Sequence, residues 1–184
     1  LGLADERALI LDPATGTGSF LFAAVKLIHA AVCQKVAGAW AGYVEQKLLP
    51  RLFGFELLMA PYAVAHLKLA LQLQQTGYQF SGQQRLGVYL TNSLDEAVRK
   101  SDLLFGSFIS EESNAAVLIK KEYPILVVLG NPPYSGVSAN RSVWIRQQLQ
   151  AYRTVNGQPL QERKTMLDDD YVKFIRFAQW RIQL

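Results

Sequence analysis

Four short segments carry side chains whose types and spacing could do chemistry. The first is Asp12-Pro13-Ala14-Thr15-Gly16-Thr17-Gly18-Ser19-Phe20. Glycines after a strand let a backbone approach a ligand closely at the point where a helix opens. The run lacks the full G-x-G-x-x-G spacing, and no Lys follows Gly18, so it is not a phosphate-cradling P-loop. An ordinary strand-to-helix turn would read the same way. The second is Glu56, whose two acceptor oxygens suit the paired hydroxyls of a ribose. It stands 38 residues beyond Gly18, where about 20 is usual, so an inserted helix is expected between them. A surface carboxylate is the alternative. The third is Asn92, followed by Ser93 and Leu94. Its carboxamide could accept from the exocyclic amine of an adenine, or it could simply form a turn. The fourth is Asn131-Pro132-Pro133-Tyr134. Two prolines after a strand fix the backbone and prevent onward pairing. They present the Asn131 side chain and the Pro132 carbonyl as rigid acceptors, with the Tyr134 ring beside them. Two acceptors and a flat face match a planar base that bears an exocyclic amine. Such an amine is a poor nucleophile because its lone pair is delocalised, and acceptors on its hydrogens favour the geometry that frees it. A bland Pro-Pro turn is the competing reading.

These segments need elements to hold them. Ala8–Leu11 reads as a buried strand, and Ser19 as the N-cap of a helix running to about Val36. A second helix is expected over about Tyr43–Leu49. Arg51–Glu56 reads as strand two, followed by a helix from Pro61 to Gln75 with Pro61 at its first position. Leu86–Leu90 is strand three. Residues 95–121 are mixed, with basic pairs at Arg99-Lys100 and Lys120-Lys121 that read as solvated surface. Ile125–Leu129 is strand four, apolar throughout and therefore expected to be buried on both faces. Ser135–Asn140 is a loop, Ser142–Tyr152 a helix and Thr154–Thr165 a loop. Asp168-Asp169-Asp170 then opens a last helix. Strands alternating with helices imply an α/β fold with a mostly parallel sheet. In such sheets ligands bind at the carboxyl ends of the strands, where Asp12, Glu56, Asn92 and Asn131 all fall.

Composition bounds the function classes. The 184 residues are 50% apolar and 11% aromatic, which excludes wholesale disorder. The net charge of +4 permits a phosphate-rich partner without demanding one. A single cysteine, Cys33, excludes an internal disulfide and a cysteine zinc site, and it reads as a buried small hydrophobe. His29 and His66 lie among apolar neighbours on predicted helices and read as packing residues. No metal is expected. No apolar run approaches the roughly 18 residues of a membrane span, and no signal peptide opens the chain, so a cytoplasmic protein is expected. The chain opens on Leu1 and closes inside a predicted helix, so a piece of a longer polypeptide is also expected.

At this point a resemblance enters. Asp12 to Phe20 resembles the first motif of S-adenosylmethionine-dependent amino-methyltransferases. Asn131 to Tyr134 resembles their catalytic tetrapeptide, in the form typical of DNA adenine-N6 methyltransferases. The order of the two motifs is that of the gamma group. The runs Leu49–Leu57, Ala60–Leu69, Tyr89–Leu94, Ser138–Asn140 and Asp169–Ala178 are similar to the methyltransferase region of the single-polypeptide Type ISP restriction-modification enzymes.

The resemblance implies a Rossmann-like methyltransferase fold with helices on both faces, of which about four of seven strands are present. Residues 1–94 would form the cofactor-binding half, and residues 123–184 the catalytic segment and the helices after it. It implies S-adenosylmethionine as cofactor, with Asp12, Pro13, Ala14, Thr15, Gly16, Gly18, Phe20, Glu56, Leu57, Asn92 and Leu94 around it. Asn92 stands where many relatives have Asp. Asn131, Pro132, Pro133 and Tyr134 fall on the catalytic positions, and Tyr134 and Phe174 on the pocket for the target base. The implied partner is double-stranded DNA with its target adenine flipped out. The rest of the parent polypeptide would supply a segment closing over the cofactor and a target-recognition domain, with nuclease and helicase regions. Methylation of an RNA base or a protein glutamine amide is the alternative activity. A non-catalytic role in DNA binding or assembly is the third reading.

Overall fold

The structure is a computed structural model that describes residues 2–36, 38–82, 84–95, 104–135, 138–160 and 165–184. Four strands form one sheet: β1 (Leu9–Asp12), β2 (Leu52–Glu56), β3 (Gly87–Leu90) and β4 (Ile125–Val128). Their order is β3-β2-β1-β4, and every pairing is parallel. Strand alternation sorts the side chains onto two faces. Ile10, Leu52 and Val88 point into one core with α1 (Ser19–Lys35) and α3 (Met59–Gln75). Leu11, Phe53 and Phe55 point into the other, with α4 (Leu104–Lys121), α5 (Val143–Leu149) and α6 (Asp170–Gln183). The expected α/β sheet with helices on both faces is therefore present.

Several expectations change in detail. Gly18, in the left-handed region at φ 78°, caps α1, and Ser19 is its first helical residue. The Ser19 hydroxyl instead accepts from Lys68 on α3 at 3.0 Å. α3 begins at Met59, so Pro61 lies within its first turn, where its missing N–H costs nothing. The second helix is composite: α2 (Trp40–Tyr43), a π-turn over Val44–Leu48, then a 3-10 turn over Leu49–Arg51. Arg51 thus precedes β2 and is buried, donating to the carbonyls of Leu3 and Ala8, both at 2.9 Å. Much of the mixed stretch after residue 95 is α4, while Arg99 and Lys100 lie outside the described residues. The loop after Tyr152 contains a hairpin, Thr154–Val155 (β5) against Gln158–Pro159 (β6), turned by Asn156-Gly157 with both residues at positive φ.

β4 is not buried on both faces. It lies at the sheet's edge among the described strands. Leu9 pairs with Ile125 and Ile10 with Val127, so Leu126 is an extra residue in a bulge, 50% exposed. Residue 129 lies beyond the strand, although its N–H still donates to Leu11 at 3.0 Å. His29 packs edge-on against Trp40, and His66 Nε2 lies 3.1 Å from the Val88 carbonyl, so both serve packing as expected. Cys33 is partly buried against the α1–α3 core. Among the described residues no cluster of three or more metal-ligating side chains occurs, and no helix is long and apolar enough to cross a membrane.

Candidate active site

The parallel sheet points the carboxyl ends of β1, β2 and β3, and the loop after β4, toward one cleft of about 420 Å³. Its walls include Pro13, Ala14 and Gly16 from the glycine loop, Glu56 and Leu57 from the end of β2, and Asn92 from the end of β3. Asn131 and Pro133 from the loop after β4 and Phe174 from α6 complete the set of expected residues that meet there.

The glycine loop is held against β2 by backbone and side chain together. Thr15 N–H donates to the Phe55 carbonyl at 3.0 Å, and the Thr15 hydroxyl donates to the Asp12 carbonyl at 3.0 Å. Gly54 makes this approach possible, because a Cβ there would lie 2.5 Å from the Thr15 hydroxyl. Gly18 plays the same part toward α3, where a Cβ would meet the Ala65 Cβ at 3.2 Å. Glu56 ties the loop to its own strand: one carboxylate oxygen accepts from Gly16 N–H and the other from Leu58 N–H, both at 2.8 Å. A carboxylate offers about four acceptor positions, so two remain for a ligand.

Asp12 is fully buried. Its Oδ1 accepts from Ala14 N–H at 3.1 Å, while its Oδ2 has no hydrogen-bond partner. Burial, together with the Glu56 charge, pushes its carboxyl up to about 7, against the opposing Ala14 hydrogen bond. A Cβ on Gly130 would lie 2.5 Å from Asp12 Oδ1, so the residue before Asn131 must be small. The first and fourth segments of the sequence therefore touch at Asp12 and Gly130.

Some expected residues stand elsewhere. Thr15 and Gly18 are buried behind the loop, and Leu94 is buried in the core with Phe53 and Phe55. Phe20 is 46% exposed on α1, outside the lining of the cleft. Pro132 lines a smaller neighbouring cavity of about 230 Å³ that shares Pro13, Ala14 and Phe174 with the cleft. Tyr134 is 72% exposed and stacks on Tyr171 of α6, with centroids 4.7 Å apart and planes at 14°.

Asn92 forms a turn, the alternative reading of this residue. Its carbonyl oxygen accepts from Leu94 N–H at 2.9 Å, and its amide donates to Asn140 Oδ1 at 3.0 Å. Asn140 and Asp170 are functional candidates that the types and spacing did not single out, and both line the cleft. Lys120 departs from the solvated surface expected of its basic pair. It is buried, not solvated, and its ammonium donates to Thr91 Oγ1 at 3.1 Å and to the Asn92 carbonyl at 2.6 Å. The last turn of α4 thereby props the turn that carries Asn92. A basic pair at a helix end gives no sign in sequence of which member faces inward.

Solved structures share this fold. A cryo-EM structure of a DrdV–DNA complex is 29% identical with a TM-score of 0.72, covering 99% of this chain and 17% of that one. The Type ISP restriction-modification enzyme LlaBIII bound to DNA is 22% identical with a TM-score of 0.75, covering 98% of this chain and 12% of that one. A nuclease-deletion mutant of the Type ISP enzyme LlaGI with a DNA substrate mimic is 20% identical with a TM-score of 0.74, covering 98% and 15%. This chain thus spans less than a fifth of the length of these three proteins. No curated protein matches it. The model of the MmeI DNA-methyltransferase domain matches residues 5–180, and the chain belongs to that family.

Proposed function

We propose that this domain transfers a methyl group from S-adenosylmethionine to the exocyclic N6 amine of an adenine flipped out of DNA, within a cytoplasmic restriction-modification polypeptide. The observation that carries the reading is the convergence of Asn131 and Pro133 with the glycine loop and Glu56 on one cleft. The cleft suits the cofactor. Its volume of about 420 Å³ lies within the usual range for small-molecule sites. Glu56 keeps two acceptor positions for a ribose diol, and the Pro13–Gly16 backbone can lie close to the methionine part. Asp12 is fully buried and lines neither cavity, so it acts from behind the glycine loop through its bond to Ala14 N–H. When bound, the cofactor supplies an electrophilic methyl group on a sulfonium.

The protein's own groups then have defined tasks. The Asn131 carboxamide oxygen and the Pro132 carbonyl accept hydrogen bonds from the target amine, which frees its lone pair. Pro132 and Pro133 hold those acceptors rigid. Tyr134, already stacked on Tyr171 with one face, offers its other face to the extruded base. Phe174 borders both cavities and packs beside the base. The DNA-bound relatives support a DNA acceptor, and their length supports a parent chain with recognition, nuclease and helicase regions.

The test is methyl transfer by the parent polypeptide from labelled S-adenosylmethionine to DNA, RNA and protein, followed by nucleoside analysis. N6-methyladenine in DNA is the expected product. Label confined to protein or RNA would overturn the reading.

A further inference from the structure

We infer that Asn140 is a positioning residue, the central link of a hydrogen-bond relay that fixes the loop bearing Asn131 relative to the Asn92 end of the cleft. The inference rests on the cleft being the methyl-transfer site.

The loop after β4 has no regular structure between Leu129 and Ser142 among its described residues, yet it must hold Asn131 accurately. It is anchored at both ends. At its start Gly130 packs on Asp12. At its far end Asn140 donates through Nδ2 to Asp170 Oδ1 at 3.1 Å and accepts from Asn92 through Oδ1 at 3.0 Å. Behind it lies a buried hub. The Lys173 ammonium donates to the Asn140 carbonyl at 2.7 Å and to the Ser138 hydroxyl, and stands 3.6 Å from Asp170. Ser138 in turn donates to Asp170 Oδ1 and accepts from Asn140 N–H at 3.0 Å. Lys173 and Asp170 are 2% and 7% exposed, so neither charge could be left without the other at low cost.

The direction of every link is determined. Leu94 N–H can only donate, so the Asn92 oxygen must face it and the Asn92 amide must turn outward to Asn140. Asn140 must then accept on one side and donate on the other, to a carboxylate that can only accept. A carboxamide does both through two separate atoms, which neither an aliphatic side chain nor an ionised carboxylate can do. The relay thus joins three parts of the cleft: the β3 end, the catalytic loop and the N-terminus of α6. Loss of the side-chain link leaves each part folded and leaves the loop held near the β3 end through Ser142 Oγ, which donates to the Leu94 carbonyl at 2.9 Å, so position 140 itself is what loosens. A misplacement of about 1 Å at the reacting atoms is enough to cost about a hundredfold in rate.

The experiment uses the parent polypeptide, a duplex containing its target and S-adenosylmethionine. It measures kcat, cofactor Kd and Tm for Asn140→Ala and for the isosteric Asn140→Asp, with Glu56→Ala as a control on the cofactor site. Both Asn140 variants are expected to lose tenfold or more in kcat while Kd moves less than threefold. The Asp variant should be no better than Ala, because it cannot donate to Asp170 and repels it. A kcat within threefold of wild type for Asn140→Asp would show that only space-filling matters and would overturn the inference. If neither variant folds, Ser138→Ala, which removes the hub hydroxyl, must lower kcat at least fivefold; unchanged kcat there also overturns it. Loss of activity with cofactor affinity retained in Glu56→Ala would instead indict the cofactor assignment beneath it.

Discussion

Replacing Glu56 by Gln separates the two tasks given to that carboxylate. In the structure its two oxygens accept from Gly16 N–H and Leu58 N–H, both at 2.8 Å. Glutamine keeps one acceptor oxygen and turns an NH₂ group toward the other donor. One charge-assisted bond is lost and a donor faces a donor. Hydrogen bonds to charged groups contribute about 1.5–3 kcal/mol. Glu56 is only half-buried, so the lower figure applies and the folded domain should lose about 1.5 kcal/mol. The same change removes an acceptor from the ribose-binding position, so cofactor affinity should fall at least tenfold, which is about 1.4 kcal/mol. Calorimetric titration with S-adenosylmethionine reads the second effect, and thermal unfolding without ligand reads the first. The cofactor should raise the Tm of the wild type much more than that of the variant. A variant that binds within threefold of wild type while its Tm falls would show that Glu56 serves only to fasten the glycine loop, and would refute the ribose assignment.

Asn131→Ala should abolish methyl transfer in the intact enzyme and leave cofactor Kd nearly unchanged, as single-turnover and binding assays on one preparation would show. Tyr134→Ala should weaken binding of a duplex with an extruded target base by about 1–3 kcal/mol, readable by fluorescence titration against a base analogue. Gly54→Ala should cost about 1–3 kcal/mol of stability by overpacking against Thr15 and Leu21, and should weaken cofactor binding because Thr15 holds the glycine loop. Asp12 carries a pH signature. Its carboxyl rises from 3.8 to about 7 on folding, so the folded state keeps a proton that the unfolded chain releases. Stability should therefore fall as pH rises from about 4 to 7, by up to about 4 kcal/mol, and chemical denaturation of Asp12→Asn across that range should show a flatter profile.

What was legible in the sequence was whatever a single strand end can announce. Short apolar runs ending in Asp12, Glu56, Asn92 and Asn131 located four parallel strands and the edge that carries the candidate site, because strand polarity alone dictates where those side chains emerge. The glycines were legible as a close approach, but not what they approach. Gly54 admits Thr15, and Gly18 admits Ala65, and both facts depend on neighbours distant in sequence. The Asn156-Gly157 hairpin carried a plain local signal that the polar composition around it hid. The Ile125–Leu129 run read as doubly buried because apolarity does not distinguish a central strand from an edge strand with a bulge at Leu126.

The polar wall of the cleft and the hub behind it were illegible for a different reason. Ser138, Asn140, Asp170 and Lys173 read as a loop and a helix start, and each has an ordinary local role available. Their function lies in pairing across about thirty residues, and hydrogen-bond direction has no sequence period. Asn92 shows the consequence. Read alone, it offers a carbonyl to a ligand amine. Placed in the fold, that carbonyl already accepts from Leu94 N–H, and the amide is committed to Asn140. A carboxylate at position 92 would still accept from Leu94 but could not donate to Asn140, whose amide would have to turn away from Asp170 to meet it. The choice of Asn at 92 and the carboxylate at 170 are therefore one choice made at two positions. An acidic residue at position 92 would call for a different partner across the cleft.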